Sequence, residues 1–368
     1  MPAYSNIVIA GGGIIGNSIA YYLSRNFDQS CTIIDPIGIA PAASGKAGGF
    51  LASTWSDHSP SVGPLQRRSF ELHAELGALF GDETDYRRMT ASAVAVNPNL
   101  SMQKPGGKKL EGIEWADTQG VLGGSSLGDE ATIAQVHPKK LCNCLWEDVT
   151  KKVGSTLITG RVVEAVLEKE IIVGVKLEDG RVIDADALVV ACGPWSDEAQ
   201  NWFGSKSSVP RMLGVKYHSV LVASPRVLSQ AVFFQGAGDP EVYPRKDGDA
   251  YITGFPDPPQ LVSESPGSEE VREEVVDKLT SAMNVVSTEL GGKDPHTKQS
   301  CYLPTTQDGN PVIGRIPEVE GAFVASGHSC WGILNGPATG EAVAELLMNG
   351  KTSHVDISRL GADRFSIL

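Results

Sequence analysis

Gly11, Gly13 and Gly16 stand in a Gly-x-Gly-x-x-Gly spacing, directly after an apolar run at residues 6–10. They open a helical pattern in which Ile15, Ile19 and Leu23 recur, with Ile14 in the same first turn. In that setting the glycines permit a tight turn, backbone approach to a pyrophosphate, and close helix–strand packing. Asp35, followed by Pro36, ends a second apolar run at 31–35. A carboxylate there can hold ribose hydroxyls and would repel a 2′-phosphate.

Four later stretches carry further chemistry. Ser44-Gly45-Lys46-Ala47-Gly48-Gly49 is small enough for backbone and Ser44 to reach phosphate or a ring, with Lys46 close by; the alternative is a flexible surface loop. The apolar run ending Ala191-Cys192-Gly193, with Trp195 just beyond, suits a second approach to the nucleotide. Cys301 opens a stretch containing Thr306, Asp308, Gly309 and Gly314. Gly327-His328-Ser329-Cys330-Trp331-Gly332-Ile333-Leu334 runs on to Gly336, Pro337 and Gly340. These glycines precede a helix expected over 338–348, whose N-terminal N–H groups would face a partly anionic ring carbonyl.

The elements that must position these residues follow from periodicity. The first 35 residues read as a βαβ unit. Residues 66–80 form an amphipathic helix, and His137-Pro138 opens another, with proline in its first turn. Residues 156–192 read as a three-stranded meander turning at Asp179-Gly180. Residues 81–135 and 211–254 alternate, as antiparallel strands do. A helix spans 269–290, with Val271, Val275, Leu279 and Met283 in one stripe, and a strand spans 322–326. The nucleotide signals therefore fall in 1–60, 136–205 and 299–368. The alternating material fills 61–135 and 206–298. The expected fold is α/β: a Rossmann-type nucleotide-binding domain interrupted by an antiparallel-sheet (α+β) substrate domain.

Composition agrees. Glycine supplies 41 of 368 residues, where an average usage of about 7% would give about 26. The five motifs hold most of the surplus. The net charge of −13 argues against a nucleic-acid partner, and the basic cluster at 104–109 reads as solvated surface. No apolar run reaches the ~18 residues that span a bilayer. The cysteines Cys31, Cys142, Cys144, Cys192, Cys301 and Cys330 are too sparse for a disulfide scaffold. Cys142 and Cys144 are two apart on a helix and do not face each other, so no metal site is expected. There is no leader pattern at the start, and Ser366-Ile367-Leu368 is not the peroxisomal signal, so the expected location is cytoplasmic.

All five motifs, in this order, resemble the flavoprotein family of D-amino-acid oxidase, glycine oxidase and sarcosine oxidase, nearest to eukaryotic members of unassigned substrate. The resemblance implies FAD rather than NAD. It implies oxidation of a C–N bond of a small amine or amino-acid-like substrate, by hydride transfer to flavin N5, with O₂ or another acceptor. It places Val163 where backbone meets adenine, and Tyr243-x-Arg245-x-Asp247-Gly248 in the family's substrate-domain hairpin. Family members that oxidise amino acids carry an arginine two residues after the Cys301 position, and here that residue is Leu303. They also place a basic residue after the Gly-His pair, yet 327–339 contains no Lys or Arg. Lys46, Lys216, Tyr217 and Arg245 are the substitutes available. In the sarcosine-oxidase branch, a cysteine at the Cys301 position bonds covalently to the flavin; a buried thiol is the alternative. The oxygen-activating lysine of that branch aligns with Ile252, leaving Lys46 to take over its role. His328 reads as a structural or flavin-contacting residue, and Trp331 as a lining of the substrate side. Lys46, Arg245, His328 and Trp331 form the candidate catalytic set. The alternative to an enzyme is a flavin-binding protein with a regulatory or trafficking role.

Overall fold

The computed structural model describes residues 4–100, 106, 110–204 and 209–365. The lysines of the 104–109 cluster and the tripeptide 366–368 lie outside the described residues. The helices are α1 (Ile14–Phe27), the single turn α2 (Ala43–Lys46), α3 (Val62–Phe80), α4 (Pro138–Val153), α5 (Glu273–Val286) and α6 (Gly332–Asn349). None of the described helices is long and apolar enough to cross a membrane.

One layer is a six-stranded sheet in the order Val312–Arg315, Ala322–Ser326, Ala187–Val190, Ile7–Ala10, Cys31–Asp35, Thr156–Thr159. It is parallel except at Val312–Arg315. Its central strands Ile7–Ala10 and Ala187–Val190 are continuously apolar because both faces are covered. Ile7, Ile9, Ile33, Val189 and Phe323 pack among α1, α3, α4 and α6. Val8, Ile34, Leu188, Val190 and Val324 pack against Val162, Ile172, Val175 and Leu177 of an antiparallel meander. That meander is Val162–Glu168, Ile171–Leu177 and Val182–Asp184. This corrects the sequence reading. Thr156–Thr159 and Ala187–Val190 are not meander strands; each finds a parallel partner in the main sheet.

The second sheet has seven strands in the order Thr297–Thr305, Leu213–Ala223, Asp249–Gly254, Glu241–Pro244, Gln230–Gln235, Thr90–Val96, Val121–Gly128. Only the contact between Gln230–Gln235 and Thr90–Val96 is parallel. Val220, Val232, Val242 and Ile252 pack one face against Leu279 and Met283 of α5.

Two segments depart from the expected domain blocks. Leu65, Phe70, Leu72 and Leu76 of α3 pack in the helical layer of the nucleotide part, not with the rest of 61–135. Thr297–Thr305 pairs with Leu213–Ala223 in the seven-stranded sheet, so a boundary at 299 cuts a strand. An apolar stripe reports that a helix is covered, but not by what.

α6 also begins earlier than expected, at Gly332, with Pro337 inside it. Proline has no N–H to give the carbonyl four residues back. Here that carbonyl, Ile333 O, is bonded instead by His73 Nε2 of α3 at 2.9 Å. One residue on, the Ala338 N–H donates to Ser69 Oγ at 3.0 Å. Burial pushes the His73 pKa down to about 4, so the ring is neutral and donates through Nε2. Two α3 side chains thus repair the break that made the proline look like a helix start.

Candidate functional site

Gly11 sits where Ile7–Ala10 and Ala187–Val190 end side by side. Its φ is +117°, and a Cβ there would fall 2.3 Å from the Ala191 carbonyl oxygen, so only glycine lets the chain leave the sheet. Asp35 then organises the turn. Its Oδ2 accepts the Gly12 N–H at 2.8 Å, and its Oδ1 accepts from Ile37 and Gly38, each at 2.9 Å. α1 has no capping side chain of its own. Ser44 Oγ accepts the Ile14 N–H at 2.9 Å, so the second glycine-rich segment closes over the start of α1.

These pieces wall a cavity of about 1150 Å³, counting the part open to solvent. Gly11, Gly13, Ile14, Ile15, Asp35, Pro36, Ser44 and Ala47 line it from the N-terminal side. Ala191, Cys192, Gly193, Trp195, His328, Gly332 and Ile333 line it from the other blocks. Five motifs far apart in sequence therefore meet at one space. Trp195 is fixed by donating Nε1–H to the Glu264 carbonyl at 2.8 Å. His328 is buried, its Nε2 lies 3.0 Å from Thr339 Oγ1, and burial pushes its pKa down to about 3. It is a neutral, fixed ring and is not poised as a base.

Gly16, Gly45, Gly48, Gly49, Gly327 and Leu334 are not among the residues that line the cavity. The Tyr243 ring lies directly on Gly48, where a Cβ would come within 2.2 Å of it. Val162, not Val163, turns its side chain to the cavity; Val163, one step along the same strand, is exposed. Any role of Val163 there falls to its backbone.

Several candidates stand elsewhere than expected. Lys46 is outside the lining: Nζ bonds Glu269 at 2.6 Å and the Ser300 carbonyl at 2.9 Å. Arg245 donates to the Ala47 carbonyl at 3.2 Å and lies over the Tyr251 ring. Gln299 Nε2 donates to the Lys46 carbonyl at 2.9 Å. These three side chains clamp the α2 segment to the seven-stranded sheet, which is a positioning role. Lys216 is held by Glu264 at 3.0 Å. Ile252 packs on the α5 face, away from the cavity, because alternation sends its neighbours Tyr251 and Thr253 the other way. The alignment with an oxygen-activating lysine fails there. Cys301 is buried beside the cavity rather than on its wall, and burial, opposed by Lys46, pushes its thiol up to about 12. Trp331 is likewise off the wall and meets Trp55 edge-on at 5.8 Å.

Trp331 belongs to an aromatic cluster that the sequence reading missed. Phe50 lies 5.1 Å from Trp55, 5.2 Å from Phe233 and 5.4 Å from Tyr243, and Tyr243 stacks near Tyr251 at 5.9 Å. Glu241 sits among them, its Oε2 accepting from the Tyr243 hydroxyl. The cavity wall contains Cys330, which the sequence offers beside Trp331 for the substrate side, and also residues not anticipated as lining: 40–42, Arg161 with its ion-pair partner Glu198, Leu303 and Pro304. The alternation rule applied to 162–168 would have found Val162; no local signal marks the rest. Among the described residues, no group of three or more His, Cys, Asp or Glu is placed to hold a metal ion.

Comparison with known proteins bears on this geometry. Residues 6–346 match the family model described as DAO, FAD dependent oxidoreductase. A provisionally named oxidoreductase of Schizosaccharomyces pombe is 32% identical over 389 residues, covering 96% of this chain and 97% of that protein. Glycine oxidase of Bacillus subtilis is 26% identical, covering 99% of this chain and 98% of the enzyme. The crystal structure of L-proline dehydrogenase from P. horikoshii superposes with a TM-score of 0.81 at 20% identity, over 100% of this chain and 99% of that one.

Proposed function

Since this chain belongs to the DAO family of FAD-dependent oxidoreductases, we propose that it oxidises a C–N bond of a small amine or amino-acid-like substrate. The observation that carries the reading is the single cavity joining the glycine-built start of α1 to the residues beside the aromatic cluster.

The residues present fit FAD. A Cβ at Gly11 would strike the Ala191 carbonyl and one at Gly13 would come within 3.1 Å of Ser44 Oγ, so bare backbone lines the turn at which a pyrophosphate would sit. Asp35 and residues 160–162 would hold the adenosine end. Gly13, Ile14 and Ser44 would hold the phosphates. Leu303, His328, Cys330, Gly332 and Ile333 would hold the ring end. When bound, the flavin supplies a two-electron acceptor that takes hydride from the carbon next to nitrogen, leaving an imine that water hydrolyses.

The chain's own work is orientation and electrostatics. The start of α6 offers N–H groups where negative charge develops. His73 and Ser69 hold that helix start despite Pro337. His328 is neutral and serves to pack and orient, so the amine must arrive deprotonated or give its proton to another group. With Lys46 bound to Glu269, no lysine among the described residues lines the cavity, which supports a dehydrogenase with an acceptor other than O₂. Anaerobic photometry of the holoprotein against a panel of amines and amino acids tests the reading. Bleaching of the flavin by at least one member is expected. A panel that leaves the flavin oxidised throughout overturns it, in favour of a non-catalytic flavoprotein.

A further inference from the structure

We propose that the substrate end of the site is a cation site. In it the Glu241 carboxylate, walled by aromatic rings, takes the ammonium group of a small amine that carries no α-carboxylate. This names the substrate class of the C–N oxidation proposed above and rests on that reading.

Strand register places Phe233 opposite Glu241, and Glu241 opposite Thr253. Tyr243 and Tyr251 pair one step along the same face. This face meets Phe50 and Trp331, whereas the opposite face is buried under α5. Of the nearby cations, Lys46 is held by Glu269 and Lys216 by Glu264, while Arg245 donates Nη2 to the Ala47 carbonyl and lies over the Tyr251 ring, its buried Nε without a hydrogen-bond partner; none of the three bonds Glu241. Among the described residues, no Lys, Arg or His pairs with Glu241 in an ion pair. Its Oε2 accepts from the Tyr243 hydroxyl, which stabilises a carboxylate without neutralising it.

A desolvated carboxylate without a counter-cation is costly. Burial pushes the Glu241 carboxyl above its usual range. The same charge helps push the Tyr217, Tyr243 and Cys330 protons up. Trp331 packs in this cluster while its chain neighbours Cys330 and Gly332 line the cavity, so the face that carries Glu241 adjoins the space where the substrate would lie. An ammonium would remove this cost. Phe233 is the cross-strand neighbour of Glu241 and Tyr243 its hydrogen-bond partner, with Phe50 and Trp55 packed on those two rings, and aromatic faces favour a cation over a neutral group.

The same charges argue against an amino acid. A substrate carboxylate calls for a guanidinium or ammonium partner. The two positions that resembling proteins use for one hold Leu303 and the Lys- and Arg-lacking segment 327–339. A carboxylate entering here would meet the like charge of Glu241 instead.

tert-Butylamine and 2-aminoisobutyrate test this, because they differ only by exchange of a methyl for a carboxylate and neither has an α-hydrogen to lose. Both are titrated into holoprotein by calorimetry, a readout independent of turnover. tert-Butylammonium is expected to bind about thirtyfold or more tightly than 2-aminoisobutyrate, and Glu241→Gln should weaken it by about thirtyfold or more, as for truncation of a buried charge partner. Glu241→Asp should restore part of the loss. Equal or tighter binding of 2-aminoisobutyrate overturns the proposal, as does undiminished binding in Glu241→Gln. If Glu241→Gln loses its flavin, the wild-type pair alone decides. Failures are separable by anaerobic bleaching. Cation binding without bleaching by any amine keeps the cation site and removes the oxidation reading. Bleaching by amino acids alone keeps oxidation and removes the cation site.

Discussion

The two ends of the cavity are built from different materials. The nucleotide end is made of backbone: Gly11 against the Ala191 carbonyl, Asp35 holding three amides, and Ser44 capping α1. The proposed substrate end is flanked by side chains projecting from one sheet face, with Phe233, Glu241, Tyr243 and Tyr251 brought together by strand register beside the cavity rather than on its wall. A backbone-built site tolerates few residue types and leaves spacing as its trace. A side-chain site can change its chemistry by substitution at a few positions while the sheet beneath stays the same. This explains how a chain can keep a family's cofactor cradle and lack its carboxylate anchors.

Substitutions should therefore act differently at the two ends. The largest effect is expected of Gly11→Val. It forces a β-branched residue into φ +117° and against the Ala191 carbonyl, which should cost about 3 kcal/mol or more. Purified protein should carry no flavin absorbance and unfold at lower urea. Retained flavin would break the contrast, because the cradle would then not depend on glycine.

His73→Ala comes next. It strips the donor from the Ile333 carbonyl at the Pro337 break and should destabilise by about 2 kcal/mol at pH 7. The sign of its pH dependence follows from the histidine. The folded pKa, about 4, lies below the ordinary 6.5, so the unfolded chain binds a proton that the folded one refuses. The stability held by this group is whole above that ordinary value and is lost as pH falls, by about 1.4 kcal/mol per unit. The gap between wild type and His73→Ala should accordingly narrow from pH 7 to pH 5 in urea titrations. A gap that is constant with pH would show that His73 does not repair α6 as a neutral ring.

The smallest effect is expected at Cys301, which packs beside the cavity with its thiol pushed up to about 12. Acid denaturation should separate all flavin from wild-type protein, and Cys301→Ser should cost only about 1 kcal/mol. Colour that stays with the polypeptide in wild type and leaves it in Cys301→Ser would make this cysteine a covalent anchor and blur the division between the two ends.

The contrast also explains what could be read from the sequence. The Gly11 to Gly16 spacing, the run ending at Asp35 and the strand at 322–326 are local patterns, and the structure contains the elements they announce. The start of α6 was misplaced because the proline rule is local, whereas His73 and Ser69 act across more than 250 residues of sequence. Ile252 faces α5 and not the cavity, and alternation tells which neighbours share a face but not which face meets the cavity. The aromatic cluster was legible only in part: Tyr243 and Trp331 lie in motifs, whereas Phe50, Trp55 and Phe233 carry no local signal that brings them there.

The repair of α6 by α3 has a consequence for synthesis. The Ile333 carbonyl cannot meet His73, nor the Ala338 amide Ser69, until the ribosome has released residues beyond 338. The strand Ala322–Ser326 must also join the sheet beside Ala187–Val190. An emerging chain can thus assemble its first βαβ unit early, yet it cannot close the ring end of the cavity. Cofactor capture is therefore a late event in the life of each new molecule, and until then its aromatic substrate face is a surface for chaperones to cover.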